Sequence, residues 1–214
     1  MAAPSAPSAR RAKAVESFKT AADCIGTIEP GHSLFAITRG QFSMIDAVLA
    51  CLDQSGPADV SLWTWTVAEY EIECLERLRN DGRVRSATLV IDHSARNKNA
   101  GLIRQWKSTF GTDSVRYVVN HSKIVTISND RFRLLLRGSM NLNFNPRFEQ
   151  FDLTEGGADF DLVKSIEREL PVLADTASGE DVYKASKVAE AFEPQQLSIF
   201  QRSEERRVGK ECLP

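Results

Sequence analysis

The sequence lacks the features that mark membrane, disulfide-rich and secreted proteins. No apolar run approaches the roughly 20 residues that a membrane-spanning helix needs. Four cysteines in 214 residues do not make a disulfide framework, and no C-x-x-C pair is present that could hold zinc. Arg10, Arg11 and Lys13 are followed by no hydrophobic stretch, so they do not belong to a secretory signal. We therefore expect a cytoplasmic protein with reduced thiols and no membrane partner.

The composition is that of an ordinary globular protein, with 42% hydrophobic and 26% charged residues. The length suits one substantial domain. We expect residues 1–24 to form a flexible or helical leader, 25–155 the main domain and 156–201 an acidic helical segment. Residues 202–214 resemble the translation of a common sequencing-library adapter, so we expect them to be an artefact that stands in place of the natural C-terminus.

Charge is distributed unevenly along the chain. Residues 96–147 contain ten Lys and Arg against two Asp, a local charge of +8. Residues 148–201 contain four Lys and Arg against twelve Asp and Glu, a local charge of −8. A basic block of this kind indicates an anionic ligand that binds at one place. The alternative is that these are solvated surface charges, balanced by the acidic segment that follows them.

Strand-like runs alternate with helix-periodic segments, which predicts an α/β fold with a mixed, mostly parallel sheet flanked by helices. Sites in such sheets lie in the loops beyond the carboxyl ends of the strands. The predicted strands are 33–38, 60–67, 87–91 and 115–119, and the predicted helices are 42–52, 68–78, 101–110, 160–174 and 182–192. The loops that follow the four strands contain Arg39 and residues 66–69, 92–99 and 120–123.

The segment after the fourth strand predicts a β-hairpin. Two strand-like runs, 124–128 and 132–137, flank a short polar stretch that includes Asn129 and Asp130. Asn and Asp tolerate turn conformations, so we take these two residues as the turn.

This hairpin gathers groups that handle phosphate. The predicted turn places His121 opposite Gly138, and a strand's alternation puts Lys123 on the same face as His121. The returning strand brings Ser139 and Asn141 to the same end, even if the register slips by one or two residues. Lys, Ser and Asn supply hydrogen-bond donors, and a glycine lets backbone amides approach an anion closely. A histidine among them can act as a nucleophile or an acid near neutral pH.

These residues resemble the phospholipase D superfamily, whose signature is H-x-K, then an Asp, then G-S-x-N. The matching residues are His121-Ser122-Lys123, Asp130 and Gly138-Ser139-Met140-Asn141. Six residues rather than four separate Lys123 from Asp130, and seven rather than six precede Gly138. Both changes lengthen the hairpin toward its far end, so we expect them not to move the site. The resemblance implies a phospholipase D-like half-domain as the fold of residues 25–155.

The resemblance also implies a mechanism and a partner. Because the chain has one motif, it implies a symmetric homodimer that shares an active site. One His121 would attack phosphorus to give a phosphohistidine, and the other would protonate the leaving oxygen and then activate water. Lys123 and Asn141, assisted by Ser139, would hold the non-bridging oxygens. No cofactor or metal is implied, and three scattered histidines without an acidic triad give no case for a metal.

Several assignments have alternatives that the sequence leaves open. The carboxylate that orients the imidazole is either Glu149 or Asp152. Ser139 and Asn141 are also typical of a helix N-cap, which is compatible with phosphate binding at the same place.

Residues outside the motif are candidates for binding the substrate, or are ordinary surface residues. These candidates are His93, Arg96, Lys98, Arg39, Arg137 and Arg147. The density of arginine beside a phosphate site favours nucleic acid as the ligand. Trp63 and Trp65 share a predicted strand face, where we expect them to pack in the core rather than stack on bases.

Three functions compete on this evidence. The first is a phosphodiesterase that acts on nucleic acid, favoured by the basic block. The second is a non-catalytic dimeric module that binds nucleic acid, which the intact His121 and Lys123 argue against. The third is a lipid-acting phospholipase D-like enzyme, for which the sequence offers no basic amphipathic helix.

Overall fold

One mixed sheet of eight strands organises residues 10–142 and 146–187, which are the residues that the computed structural model describes. The strand order across the sheet is β1-β2-β8-β7-β6-β3-β4-β5. The strands are β1 Arg11–Lys13, β2 Ser33–Thr38, β3 Ala58–Thr64, β4 Val84–Asp92, β5 Val115–Val118, β6 Ile124–Ser128, β7 Arg133–Gly138 and β8 Glu149–Glu155. The helices are α1 Ala21–Ile25, α2 Met44–Ser55, α3 Glu69–Asn80, α4 Ala95–Lys98, α5 Ala100–Phe110, α6 Ala158–Glu169 and α7 Gly179–Ser186.

Most strands of this sheet run in one direction. β3, β4 and β5 are parallel neighbours, as are β1 and β2, whereas β6 and β8 are antiparallel to the strands on both of their sides. Only β6 and β8 among the described strands therefore run against the rest. The predicted α/β fold with a mixed, mostly parallel sheet flanked by helices is confirmed.

The two faces of the sheet bury different amounts of apolar surface. Leu34, Leu62, Leu136 and Leu153 lie on one face, where they form the main core with the apolar residues of α1, α2, α3 and α5. On the other face Val90 lies in a small separate cluster beneath the acidic C-terminal segment. The predicted acidic segment thus covers part of the sheet.

Two strands are missing from the sequence prediction. β8 lies between β2 and β7, and three carboxylates interrupt its apolar pattern: Glu149, Asp152 and Glu155. β1 lies in the segment predicted as a leader, where Phe18 and Cys24 are buried in the main core. Residues 10–24 therefore pack with the domain.

Some predicted segments fall outside the described residues. The predicted adapter-derived segment 202–214 lies there, as does the end of the predicted helix 182–192. No helix within 10–142 and 146–187 has the length and apolar character needed to cross a bilayer.

The predicted hairpin is present, but its predicted register is wrong by two residues. Gly138 N donates to Lys123 O at 3.2 Å, which makes these two residues neighbours across the hairpin. At the other end, Asn129 N donates to Phe132 O at 3.0 Å. The Asn129 side-chain oxygen also accepts from Phe132 N at 2.9 Å, and this bond fixes Asn129 at the strand end rather than in the turn. Asp130 lies exposed in the turn, at the end of the hairpin away from Lys123.

Candidate active site

One edge of the sheet gathers the residues of the predicted motif. The carboxyl ends of β2, β3, β4, β5 and β7 meet the amino ends of β6 and β8 at this edge, which we call the site edge. In strand order it carries Arg39 after β2, Glu149 on β8, Ser139 after β7, Lys123 before β6 and Trp65 after β3. Neighbouring strands lie about 4.8 Å apart, so the stretch from β8 to β3 spans about 14 Å.

His121 and Lys123 are in direct contact at the centre of the site edge. The Lys123 Nζ lies 3.2 Å from His121 Nδ1 and 3.4 Å from Nε2, and it donates to the His121 carbonyl oxygen at 2.9 Å. His121 is exposed and Lys123 is half-buried. Burial lowers the pKa of Lys123, while the charge of Glu149 acts in the opposite direction. This geometry places an ammonium where it can bind the oxygens of an anion that lies beside the imidazole.

Two buried polar residues, missed by the sequence analysis, hold the loop that carries His121. Asn120 donates through Nδ2 to Thr64 O at 3.0 Å, and its Oδ1 accepts from Ser122 N at 2.9 Å. The Asp92 carboxylate accepts from Asn120 N at 3.0 Å. The loop is therefore tied to the ends of β3 and β4. The sequence did contain a signal for these two residues, because each lies directly after a predicted buried strand.

Ser139 lies between β7 and the start of β8. Its backbone amide donates to Gln150 O at 3.2 Å, its hydroxyl accepts from Gln150 N at 3.0 Å, and the same hydroxyl donates to the Glu149 carboxylate. Gly138 permits this close approach, since a Cβ there would overlap Gln150 O. The packing of β7 against β8 therefore requires a glycine at this position, whether or not an anion binds there.

The structure distinguishes the two candidate carboxylates. Glu149 lies at the site edge, where it bonds Ser139 and acts on the pKa of Lys123. Asp152 lies further along β8, is 8% exposed and forms an ion pair with Arg10. Glu149 is therefore the carboxylate at the candidate site.

The end of the motif is bonded to α2. The carbonyl oxygens of Asn141 and Leu142 accept hydrogen bonds from the first two backbone amides of α2, at 3.4 and 3.3 Å. The N-cap of that helix is Ser43, and within the described residues no helix begins at Ser139 or Asn141. The helix N-cap alternative is wrong for Ser139, and for Asn141 it involves residues 143–145, which lie outside the described residues.

The two tryptophans occupy different environments. Trp63 is half-buried on β3, and its Nε1 donates to Glu167 at 3.2 Å. β3 ends at Thr64, so Trp65 falls in the loop and is 44% exposed. Its ring centroid lies 6.0 Å from that of His121. The prediction that Trp65 packs in the core is wrong, because the strand ends before reaching it.

Three substrate-binding candidates follow β4, and one of them, Lys98 at the end of α4, lies beside Trp65 at the site edge. Lys98 is exposed, and its Nζ lies 5.8 Å from the centroid of the Trp65 ring. Arg96 donates to Ala177 O at 2.8 Å, so its guanidinium is hydrogen-bonded to the C-terminal segment. His93 is half-buried, and its backbone amide donates to the end of β5 at 2.9 Å.

The remaining arginine candidates are divided between the site edge and elsewhere. Arg39 is exposed and lies 5.8 Å from the ring centroid of Phe148, which itself is 67% exposed. Arg147 is exposed close to the start of β8. Arg137 is half-buried on β7 and forms an ion pair with α6.

Ion pairs join the basic block to the acidic segment. The pairs are Arg133 with Asp161, Arg137 with Asp159 at 2.5 Å, and Lys107 with Asp175 at 2.6 Å. Part of the local +8 is thus balanced within the fold, as the surface-charge alternative predicts. The charge argument for an anionic ligand then depends on the cations at the site edge.

Comparison with known proteins gives no match to a protein-family model and no match to a curated protein. The resemblance to the phospholipase D superfamily therefore stays a prediction from the motif. Within the described parts of the chain, no group of three or more His, Cys, Asp or Glu lies close enough to hold a metal ion.

Proposed function

We propose that the protein is a phosphodiesterase of the phospholipase D type that hydrolyses phosphodiester bonds in nucleic acid through a covalent phosphohistidine. The observation that carries the proposal is the contact between the Lys123 ammonium and the His121 imidazole at 3.2 Å. Ser139 and Glu149 lie beside this pair on the same sheet edge. A nucleophile, an anion-binding cation and a carboxylate thus stand next to each other on an accessible edge.

The proposed reaction has two steps, the formation of the phosphohistidine and its hydrolysis. A lone pair of a His121 nitrogen attacks phosphorus, the P–N bond forms, and the P–O bond to the leaving oxygen breaks. The imidazolium of the partner subunit's His121 gives its proton to that oxygen. In the second step the neutral imidazole of the partner subunit takes a proton from water, whose oxygen attacks phosphorus and breaks the P–N bond. Lys123 and Ser139 stabilise the charge on the non-bridging oxygens.

The proposal includes a homodimer because the chemistry needs two imidazoles and the chain has one H-x-K motif. His121 is exposed in the single chain, as a group that must face a second subunit has to be. A shared active site can be distinguished from two independent sites by mixing active and inactive chains. When wild-type and His121→Ala chains are unfolded together and refolded, activity should fall with the square of the wild-type fraction. Activity proportional to that fraction would show that each chain works alone.

Nucleic acid is the proposed substrate because cations border the motif on both sides. Arg39 and Arg147 lie toward β2 and β8, and Lys98 lies toward β3 and β4. Cations spaced along an edge can contact successive phosphates of one strand.

The test is cleavage of plasmid and short oligonucleotides in excess chelator. We expect cleavage by the wild type, none by His121→Ala, and salt-sensitive binding retained in that variant, because His121 is exposed and its loss leaves the fold intact. Alkaline quenching of a radiolabelled reaction should trap an adduct in the wild type alone, and acid should then release the label, because the P–N bond of a phosphohistidine is stable to alkali and labile to acid. Cleavage only after magnesium is added would contradict the mechanism. Binding without cleavage would favour the non-catalytic module, and headgroup release from phospholipid vesicles would favour a lipid substrate.

A further inference from the structure

The site edge carries an exposed tryptophan that the proposed chemistry does not use. Trp65 stands directly after β3, next to the strand that follows His121 and Lys123. It exposes 44% of its surface although tryptophan is usually largely buried. An exposed indole beside a phosphate-binding group is a feature of sites that bind unpaired bases.

Hydrogen bonds hold the backbone of the loop that carries Trp65, both before and after this residue. The Thr64 hydroxyl donates to Thr66 O at 2.8 Å. The Asn99 side-chain amide donates to the Thr66 hydroxyl at 2.8 Å and to Val67 O at 2.9 Å. The backbone of Trp65 is therefore held in place before a ligand arrives, which lowers the entropy that binding has to overcome.

The residues around the Trp65 ring suit a nucleotide, because a phosphate-binding group lies near it on one side and a further cation lies near it as well. The His121 ring centroid lies 6.0 Å from that of Trp65, at an interplanar angle of 47°. The Lys98 Nζ lies 5.8 Å from the Trp65 centroid. A phosphate at His121 would thus have a flat apolar surface on one side for its adjoining base, with a second cation beyond it for a neighbouring phosphate.

We infer that Trp65 is a stacking platform for an unpaired base next to the scissile phosphate, so that the preferred substrate is single-stranded nucleic acid. This inference rests on the proposed function and adds the strand preference to it. Bases of a duplex are already stacked on both faces, and unstacking one carries a free-energy cost. A platform beside the nucleophile therefore favours a strand whose bases are free.

The test measures binding separately from cleavage, in the His121→Ala background. Trp65→Ala should weaken binding of a short fluorescent single strand by about tenfold, as loss of one stacked base does. Trp65→Phe should retain most of the affinity, and binding of a duplex of the same length should change little in either variant. The single strand should also quench intrinsic fluorescence in the parent but much less in Trp65→Phe.

The control is Tyr183→Ala, which removes another exposed aromatic ring; Tyr183 lies on α7, and its ring centroid is 5.2 Å from Lys187 Nζ. It should leave affinity unchanged. If oligonucleotides are cut but Trp65→Ala binds single strands as the parent does, the stacking inference is overturned and the proposed function stands. Absence of any binding or cleavage of nucleic acid overturns both. Loss of the dimer in Trp65→Ala would show that the ring is instead a subunit contact.

Discussion

Gly138→Ala tests whether the glycine of the motif is required by chain packing as well as by the ligand. The backbone at Gly138 has no positive φ, so an alanine would meet no strain from its own conformation. It would meet β8 instead: its Cβ would overlap Gln150 O, at 3.1 Å from Gln150 C and 3.3 Å from Phe151 Cα. These are backbone atoms of a central strand, so they cannot rotate away as a side chain would.

The cost of Gly138→Ala follows from what β8 must do to make room. Overpacking of this kind typically costs about 1–3 kcal/mol. Moving β8 also weakens the two hydrogen bonds between Ser139 and Gln150, each worth about 1 kcal/mol. We expect the free energy of unfolding to fall by about 3 kcal/mol, which lowers Tm by about 9 °C for a chain of this size. Cleavage should fall as well, because Glu149 moves with β8 and its hydrogen bond with Ser139 is weakened.

The measurement is thermal and urea unfolding followed by circular dichroism, with Gly101→Ala as the matched control. Gly101 is the second residue of α5, and a Cβ there would meet only the flexible end of the Arg104 side chain at 4.0 Å. Helix propensity predicts that this control gains at most about 0.5–1 kcal/mol, the value for a helix interior. A Gly138→Ala protein as stable as the wild type would refute the packing argument. If such a protein lost only phosphate binding, the glycine would serve the ligand alone.

Three further predictions concern the charged and polar groups around the site. Lys123→Arg should move the alkaline limit of the cleavage–pH profile upward, because burial lowers the pKa of Lys123 and a guanidinium stays charged; an unchanged limit would contradict this. Asp92→Asn should lower the free energy of unfolding by about 1–3 kcal/mol near pH 7 in urea unfolding, since an amide cannot replace both acceptor oxygens. Burial raises the pKa of Asp92, but hydrogen bonds from Ser94 and Asn120 outweigh it and hold that pKa below its usual value. The difference should therefore shrink as pH falls through this lowered pKa, and a constant difference would contradict the assignment. Arg137→Gln should leave the salt dependence of oligonucleotide binding nearly unchanged, because its ion pair with α6 already balances the charge; a slope reduced by about 0.9 would show a phosphate contact.

The sequence predicted the elements whose burial follows a simple period. β2 and β6 match their predicted bounds because each is a short apolar run between polar residues. β8 was missed because its carboxylates are stabilised by partners distant in the chain, such as Arg10 for Asp152. A pattern in sequence cannot indicate that a charge will be paired across more than a hundred residues.

Part of the candidate site could also be predicted, since the residues of the motif lie on the two strands of one hairpin. The approach of His121, Lys123 and Ser139 follows from any hairpin near the predicted register, so an error of two residues did not separate them. The exposure of Trp65 could not be predicted, because the apolar run continues past the end of β3. The Asn120 side-chain amide, which donates to Thr64 O at the end of β3, comes from a residue 56 positions further along the chain.

The distribution of charge changes what supports a nucleic-acid substrate. From the sequence, the support was a block of ten cations, but the fold pairs several of them with the acidic segment. A balanced pair contributes little to long-range attraction of a polyanion, whereas an accessible cation beside the proposed nucleophile would contribute directly. Lys98 and Arg39 border the centre of the site edge from opposite sides, each within 6 Å of an exposed aromatic ring. The proposal of a nucleic-acid substrate therefore depends on where the cations lie relative to His121, not on how many cations the chain contains.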